Sequence, residues 1–244
     1  MELKGKTALV TGGGHRIGKA LTLALARAGC NLILHYNRSA APAQATASEA
    51  EALGVQVSLR QADLSRLDDA GPLFADLPPT FSPVQILVNS AAIFPKDTLA
   101  DVTVQGWSQT FRVNLRSPIL LTQAFYRALP EDMSGAVVNI TDWRTQRPYR
   151  THFSYTVSKG ALDSFTRTAA LQLAPRVRVN GIALGAMLPP EGASEAYWQS
   201  VLATVPLARS GGTDVAGDTL LYILQNDFLT GEIIHLTGGA HLKI

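Results

Sequence analysis

The sequence has little cysteine and no long apolar run. Cys30 is the single cysteine among 244 residues, and one cysteine cannot form a disulfide within the chain. This excludes a small disulfide-stapled domain and fits a reducing compartment. No apolar run reaches the length of a membrane span. The opening stretch, MELKGKTALVTGG, lacks the apolar core of a signal peptide. We therefore expect a cytoplasmic protein that does not bind a membrane.

Charge of either sign is also scarce. Charged residues make up 16% of the chain, and the formal net charge is +2. So weak a field argues against nucleic acid or anionic lipid as a partner. The hydrophobic fraction of 46% is typical of a globular protein. A chain of this length can bury the core of one large α/β domain or of two small ones.

Short apolar runs alternate with helix-like segments along the whole chain, without an internal repeat or a linker. Such alternation predicts a doubly wound parallel sheet with right-handed crossovers. We predict a single Rossmann-type α/β domain over residues 1–244, with seven parallel strands flanked by helices. The predicted strands are 7–11, 31–36, 55–60, 85–88, 135–141, 177–182 and 231–236. The predicted helices are one that opens at Gly18, then 40–53, 104–129, 152–173, 194–204 and 213–224.

A glycine cluster follows the first strand. Gly12, Gly13 and Gly14 form the turn, and Gly18 opens the first helix. In dinucleotide-binding folds, backbone N–H groups of such a turn and the helix N-terminus meet the pyrophosphate. The spacing is T-G-x-x-x-R-x-G rather than G-x-G-x-x-G. Turns need glycine for other reasons, so the position after a buried strand is what favours a cofactor site.

The second strand ends without an acidic residue. NAD-binding folds usually place an acid there to hold the ribose 2′-hydroxyl, whereas this chain continues Tyr36-Asn37-Arg38-Ser39. The planar guanidinium of Arg38 can pair with a 2′-phosphate, and we expect Arg16 in the glycine turn to reach the same place. Both could instead be ordinary surface arginines. We predict NADPH rather than NADH as the cofactor.

Three other features bear on the cofactor. Asp63 follows the third strand and could accept a hydrogen bond from the adenine amino group, or could cap the next helix. Small residues over 89–92 suit close approach to a cofactor. The Gly/Pro segment 184–192 predicts a mobile loop over the site.

Tyr155 and Lys159 are spaced to lie on one face of a helix. A nearby ammonium favours the phenolate and lowers the phenol pKa, so the pair indicates a tuned proton donor. The pattern Y-x-x-x-K also occurs by chance. Asp142, at the end of the fifth strand, is a second candidate proton handler or a cap of the local turn. Asn114 stands inside a predicted helix, where asparagine is disfavoured. It is either a buried residue with a structural partner or part of a proton path.

The chain resembles the short-chain dehydrogenases/reductases, and within them the pteridine reductases. Asp142 stands where most of the family has a catalytic serine, Arg16 gives the turn of the pteridine reductases, and HYNRSA over 35–40 is similar to their segment for the 2′-phosphate of NADPH. The matching pieces cover essentially the whole chain in the family's order. They are TGGGHRIG (11–18), ADL (62–64), LVNSAA (87–92), VNL (113–115), YTVSK (155–159), RVNGI (178–182) and LTGG (236–239).

This resemblance implies NADPH-dependent reduction of a pteridine ring, such as that of a dihydropterin or dihydrofolate, to the tetrahydro form. Tyr155 would supply or relay a proton, and Lys159 would lower its pKa and hold the nicotinamide ribose. Asp142 would handle a ring-nitrogen proton, and Asn114 would position a water. No metal site is predicted.

The resemblance also implies the residues that hold the cofactor and a homotetramer or dimer formed through helices 104–129 and 152–173. The implied cofactor contacts are Gly12, His15, Arg16, Ile17, Tyr36, Asn37, Arg38, Ser39, Asp63, Leu64, Asn89, Ser90, Ala91, Tyr155, Lys159 and Gly185.

The chain departs from the pteridine reductase pattern at the substrate. Ile93 stands where protozoan members have the aromatic residue that stacks on the pterin, Ala91 replaces a serine, and Leu184-Gly185 replaces Pro-Gly. An aromatic residue from elsewhere would have to stack on the ring. The candidates are Phe94, Trp143, Tyr149 and Tyr197.

Two alternatives remain. The same fold could reduce another carbonyl, such as a 3-oxoacyl thioester or a sugar. Asp142 counts against this, because an ionised carboxylate would repel the developing oxyanion that the usual serine hydroxyl stabilises. The chain could also be a non-catalytic NADP-binding regulator, although the intact Tyr155 and Lys159 speak against that.

Overall fold

The fold is a three-layer α/β domain built on one parallel sheet. The computed structural model describes residues 1–68 and 70–242. All seven strands pair in parallel, in the order β3-β2-β1-β4-β5-β6-β7. They are β1 (Thr7–Thr11), β2 (Asn31–Tyr36), β3 (Val57–Gln61), β4 (Val84–Asn89), β5 (Gly135–Asp142), β6 (Val177–Leu184) and β7 (Ile233–Leu236). The predicted fold class is confirmed.

Helices cover both faces of this sheet, so the central strands are apolar along their whole length. Adjacent residues of β1 show this, since Val10 packs with α1 and α7 whereas Leu9 packs with α4 and α5. The helices are α1 (Arg16–Arg27), α2 (Ala40–Glu51), α3 (Val104–Phe111), α4 (Ser117–Ala128), α5 (Phe153–Leu173), α6 (Glu195–Leu202) and α7 (Asp214–Gln225). Within the described part of the chain, none of them is long and apolar enough to cross a bilayer.

The strand order fixes where a ligand can enter. The chain runs outward from β1 to β3, then returns to place β4 on the other side of β1. In doubly wound sheets the crevice at this reversal, outside the carboxyl ends of the strands, is the usual ligand site. The glycine turn after β1 and the polar ends of β4 and β5 therefore lie at the same edge.

The predicted helix 104–129 is interrupted. A π-helical turn, Arg112–Arg116, separates α3 from α4. The break predicted at Pro118 falls before that residue, which lies in the first turn of α4. Because proline lacks an N–H and its ring crowds the carbonyl four residues earlier, a wider turn just ahead of it accommodates the ring. The smaller differences are strand and helix ends that shift by one to a few residues.

Candidate active site

A cleft of about 540 Å³ opens at the carboxyl ends of β1, β2 and β4. Most of the predicted cofactor residues lie on its wall, although they come from five separate stretches of sequence. They are Gly12, His15, Arg16, Ile17, Tyr36, Asn37, Arg38, Ser39, Asp63, Leu64, Ser90 and Ala91. We call this the first cleft.

The glycine turn leaves no space for side chains. Gly12 has a φ of +63°, and a Cβ on it would lie 3.1 Å from the Cα of Ala91. A Cβ on Gly18 would lie 2.0 Å from the carbonyl oxygen of Gly12. His15 precedes α1 without making a side-chain cap, so the first N–H groups of that helix are available to an anion. The turn and the helix end together fit the pyrophosphate of a dinucleotide.

His35 holds this turn in place, and sequence reasoning missed it. Its Nδ1 accepts a hydrogen bond from the Gly12 amide at 3.3 Å. That leaves Nε2 to donate to the Ala62 carbonyl at 3.1 Å, an arrangement that needs the neutral ring. Burial lowers the pKa of His35, which favours the neutral ring. A histidine within an otherwise apolar strand was the available signal.

The two arginines that we expected at one phosphate both line the first cleft. Arg38 is exposed there. The Arg16 guanidinium donates to the Pro189 carbonyl at 2.7 Å, in the loop after β6. That Arg16 reaches the 2′-phosphate beside Arg38 stays a prediction. The Arg16 side chain ties the glycine turn to the loop 184–192, a contact that fits a loop placed over the site.

Two other predicted cofactor residues have structural partners. The Asp63 carboxylate accepts hydrogen bonds from the amide and hydroxyl of Ser65, at 3.0 and 2.7 Å, so it caps a short 3-10 turn beside the first cleft. Asn89 lies outside the cleft wall, because its Nδ2 donates to Oδ1 of Asn139 on the neighbouring strand at 2.8 Å. The side chain of Asn89 thus joins β4 to β5.

A second cleft, of about 290 Å³, adjoins the first. Arg16 borders both, and the consecutive residues Ile93 and Phe94 border one each. Asp142, Tyr155 and Gly185 line the second cleft. Its walls are aromatic and include all four residues that we named as substitutes for the missing stacking residue. Besides Tyr155, the aromatic residues are Phe94, Trp143, Tyr149, Tyr197 and Trp198.

Three of the four predicted catalytic residues lie close together, and two of them, Asp142 and Tyr155, line the second cleft. The Tyr155 hydroxyl donates to Oδ2 of Asp142 at 2.9 Å. The Lys159 ammonium donates to the Ile140 carbonyl at 2.6 Å and lies 5.8 Å from the centre of the Tyr155 ring. Tyr155 is 7% exposed and Lys159 is 2% exposed. Helix α5 and the end of β5 thus bring together the Tyr, Lys and Asp side chains that the sequence suggested.

The pKa of Tyr155 shifts in the direction opposite to the one that we predicted. Burial, and then the Asp142 carboxylate, raise the pKa of Tyr155 well above its usual value, and only Arg144 lowers it. Burial lowers the pKa of Lys159 to about 8, although Asp142 and Asp163 oppose this. The prediction that Lys159 lowers the pKa of Tyr155 is wrong for this arrangement, because the lysine faces a backbone carbonyl and the tyrosine faces a carboxylate.

Arg144 is a further residue of this site that the sequence analysis overlooked. Its Nη1 lies 3.2 and 3.1 Å from the two Asp142 carboxylate oxygens, and its backbone N–H donates to Oδ1 at 2.8 Å. The turn cap proposed as an alternative role of Asp142 is thus present beside the contact with Tyr155. An arginine in a polar loop carries no distinctive pattern, so only the fold reveals the pair.

Asn114 has a complete set of structural partners. It is fully buried in the π turn, and its carboxamide bonds both the N–H and the C=O of Ile93, at 2.9 and 3.0 Å. Its Nδ2 also lies 3.2 Å from the Ser158 hydroxyl. Asn114 therefore fixes the segment that separates the two clefts against α5. The structural alternative is confirmed, and its part in a proton path stays a prediction.

The buried Lys159 makes stability depend on pH. The pKa of Lys159 in the folded protein, about 8, lies below its ordinary value of 10.5. The unfolded chain therefore binds more protons between these values, and stability should rise as pH increases through that window. The difference corresponds to about 3 kcal/mol. Lys159→Met lacks this titration. We therefore expect its free energy of unfolding, relative to that of wild type, to fall by up to about 3 kcal/mol between pH 7 and pH 10.5.

Urea unfolding at a series of pH values measures this difference in the free energy of unfolding. Lys4→Met removes an exposed lysine and serves as the matched control. A wild-type minus Lys159→Met difference that stays constant from pH 7 to pH 10 would contradict the assignment.

Comparison with known proteins places this geometry in a family. The family model of short chain dehydrogenases matches residues 6–199. The chain belongs to the short-chain dehydrogenase family. It is therefore an oxidoreductase, and the predicted resemblance at family level is confirmed.

One similar solved structure is FolM alternative dihydrofolate reductase 1 from Brucella canis, complexed with NADP. It superposes with a TM-score of 0.94 at 37% sequence identity, and the match covers 100% of this chain and 96% of that one. The Brucella suis protein, also in complex with NADP, superposes with a TM-score of 0.93 at 38% identity, and the match covers 100% of this chain and 98% of that one. A 3-oxoacyl-[acyl-carrier-protein] reductase of Synechocystis is 29% identical, over 97% of both chains.

Proposed function

We propose that this protein uses NADPH to reduce a pteridine ring, a dihydropterin or dihydrofolate, to its tetrahydro form. One observation carries the proposal. The Asp142 carboxylate lies 2.9 Å from the Tyr155 hydroxyl, on the wall of an aromatic cleft that adjoins the first cleft. A flat heterocycle with ring N–H groups suits aromatic walls and a carboxylate acceptor. The two FolM reductases that superpose on the chain support the same substrate class.

The first cleft is proposed to hold NADPH, which when bound supplies a hydride. The glycine turn and the N-terminus of α1 would bind the pyrophosphate. Arg38 and Ser39, exposed at the end of β2, would bind the 2′-phosphate. Lys159 would hold the nicotinamide ribose. The Brucella structures contain NADP, which supports this assignment.

In the second cleft, Tyr155 and Asp142 have different roles in proton transfer. Tyr155 donates its hydroxyl proton to the ring nitrogen that gains electrons. Asp142 accepts a hydrogen bond from a ring N–H or exchanges its proton, and so orients the heterocycle. The aromatic walls exclude water and hold the ring against the first cleft. The raised pKa of Tyr155 keeps its proton in place at neutral pH, as a donor requires.

Cofactor choice is proposed to depend on Arg38. We expect NADPH to be preferred over NADH, because β2 ends without an acid and with this arginine. Arg38→Asp replaces a charge-assisted bond to phosphate with repulsion, so NADPH efficiency should fall by about 10- to 100-fold or more, and the preference should vanish or reverse. Steady-state kcat/KM with each cofactor measures this.

Arg27→Asp, the same charge change at the far end of α1, is the control and should leave the ratio unchanged. Wild-type efficiency with NADH equal to that with NADPH would overturn the cofactor assignment.

The substrate is tested by NADPH oxidation with a panel of biopterin, dihydrobiopterin, folate, dihydrofolate, acetoacetyl thioesters and sugars. Turnover of the pterin or folate compounds alone supports the proposal. Preference for the thioester would favour the second candidate, a 3-oxoacyl reductase, which the Synechocystis relative supports. Tight NADPH binding with no turnover of any compound would favour a non-catalytic regulator.

We further infer that the protein acts in the cytoplasm as a homotetramer or dimer. Apolar side chains on α4 and α5 face outward, including Ile119, Val157 and Leu171, which is 84% exposed. Pairing of these helices would cover them. A monomeric mass by light scattering at micromolar concentration would refute the association.

A further inference from the structure

We infer that Arg144 is a positioning residue of this active site, which fixes the rotation of the Asp142 carboxylate and keeps it turned toward Tyr155. The inference rests on the proposed reductase site but on no particular substrate. The inference adds a second cation, Arg144, to the set of Tyr155, Lys159 and Asp142. Arg144 orients the Asp142 carboxylate, whereas Lys159 donates to the Ile140 carbonyl.

The first reason is the geometry of the pair. Asp142 is held from one side by three contacts with Arg144, one from the backbone and two from Nη1, all between 2.8 and 3.2 Å. Oδ2 accepts the Tyr155 hydroxyl as well. The backbone N–H alone would cap the turn, and any residue other than proline could supply it. The guanidinium is therefore not needed for the turn, but it does fix the rotation of the carboxylate.

The second reason is the environment of the guanidinium. The side chain of Arg144 is 21% exposed. Its central carbon lies 4.7 Å from the Tyr149 ring centre, 5.2 Å from that of Phe94 and 5.9 Å from that of Trp143. Its Nε is buried and has no hydrogen-bond partner in the described ranges 1–68 and 70–242. Aromatic faces thus hold a partly desolvated cation on the cleft wall, where it acts more strongly on Asp142 than an exposed one would.

The third reason is the balance of charge around Asp142. Lys159 donates to the Ile140 carbonyl, which leaves Arg144 as the cation that contacts the carboxylate. Arg144 also lowers the pKa of Tyr155, against the effect of Asp142. The ionisable groups that face this carboxylate come from the turn after β5, from α5 and its N-cap, and from the opposite wall of the cleft. They are Arg144, Tyr155, Lys159, His152 and Arg16.

The test follows the orientation of the Asp142 carboxylate directly. Crystal structures of wild type, Arg144→Met, Arg144→Lys and Arg150→Met show whether Oδ2 still accepts the Tyr155 hydroxyl, and steady-state kcat and KM are measured for the same four proteins. Arg150 is exposed in the same segment, so its variant controls for loss of one charge.

In Arg144→Met we expect the carboxylate to turn away from Tyr155, because the backbone N–H alone leaves its rotation free. We expect kcat to fall about 10-fold or more while KM for NADPH stays unchanged, since the misplaced group acts on the chemical step. Arg144→Lys should recover part of kcat, and Arg150→Met should match wild type.

An Asp142 carboxylate that keeps its rotation and its contact with Tyr155 in a folded Arg144→Met protein would overturn the inference, whatever its activity. If no substrate of the panel is turned over, the proposed function fails, yet the crystal structures still decide the role of Arg144. Loss of activity with lower melting, and an equal loss in Arg144→Lys, would reduce Arg144 to a structural residue.

Discussion

Tyr155→Phe should lower turnover by roughly 10²–10⁴-fold at pH 7, the usual contribution of a positioned general acid, while NADPH still binds. The variant removes one oxygen and keeps the ring, which meets Phe94 edge-on at 4.4 Å. The Asp142 carboxylate loses the hydroxyl but keeps Arg144. We therefore expect a folded protein that lacks its proton donor.

Stopped-flow or steady-state NADPH oxidation measures the rate, and quenching or enhancement of NADPH fluorescence measures binding. Tyr222→Phe, an exposed tyrosine on α7, is the control. Because the pKa of Tyr155 is raised well above its usual value, this group should impose no loss of reduction between pH 6 and pH 9. A Tyr155→Phe rate near that of wild type would remove Tyr155 from the mechanism.

Local patterns were enough to predict the fold and the edge where the site lies. Apolar strands buried on both faces alternate with amphipathic helices, and a parallel sheet places all their carboxyl ends together. Tyr155 and Lys159 share a helix face, and Asp142 ends the strand packed beside them. These relations depend on the spacing of residues within one element or on elements that follow each other along the chain. Both can be read from the sequence.

The contacts that local patterns could not predict join distant parts of the chain. Arg16 meets Pro189, 173 residues away, and Gly12 meets His35, 23 residues away. Arg144 lies close in sequence to Asp142, but its charge matters only because the rings of Phe94 and Tyr149 enclose it. Lys159 was expected to act on its helix neighbour, yet the buried end of β5, which extends beyond its pairing with β4, offers the Ile140 carbonyl instead. Orientation and desolvation, rather than residue type, decide these four cases.

Substitution of Asp142 distinguishes between a pterin-like substrate and an ordinary carbonyl substrate. Asp142→Ser introduces the hydroxyl that the family resemblance assigns to most members at this position. If the substrate is a pterin-like ring, we expect pterin reduction to fall about 100-fold or more, because the ring nitrogen loses its carboxylate partner. The same variant should gain weak reduction of simple ketones, because a neutral donor replaces an anion that repels the developing oxyanion.

Two other outcomes of Asp142→Ser would indicate a different role for Asp142. An ordinary carbonyl substrate predicts that Asp142→Ser raises activity. A pure turn cap predicts lower stability with no change in substrate choice, and the 2.8 Å contact with the Arg144 amide makes this a real alternative.

Steady-state rates on dihydrobiopterin, dihydrofolate and a ketone panel, with melting curves, separate the three outcomes for Asp142→Ser. Asp142→Asn keeps the shape and one acceptor oxygen but not the charge. It should therefore lose pterin reduction as the serine variant does, and it should likewise gain weak ketone reduction, because its amide N–H is also a neutral donor. The serine variant also leaves the Arg144 guanidinium without its anion, so Asp142→Ser combined with Arg144→Met shows how much of any stability loss comes from that uncompensated charge. Pterin reduction that is unchanged in Asp142→Ser, in a protein that melts normally, would rule out the proposed role of Asp142.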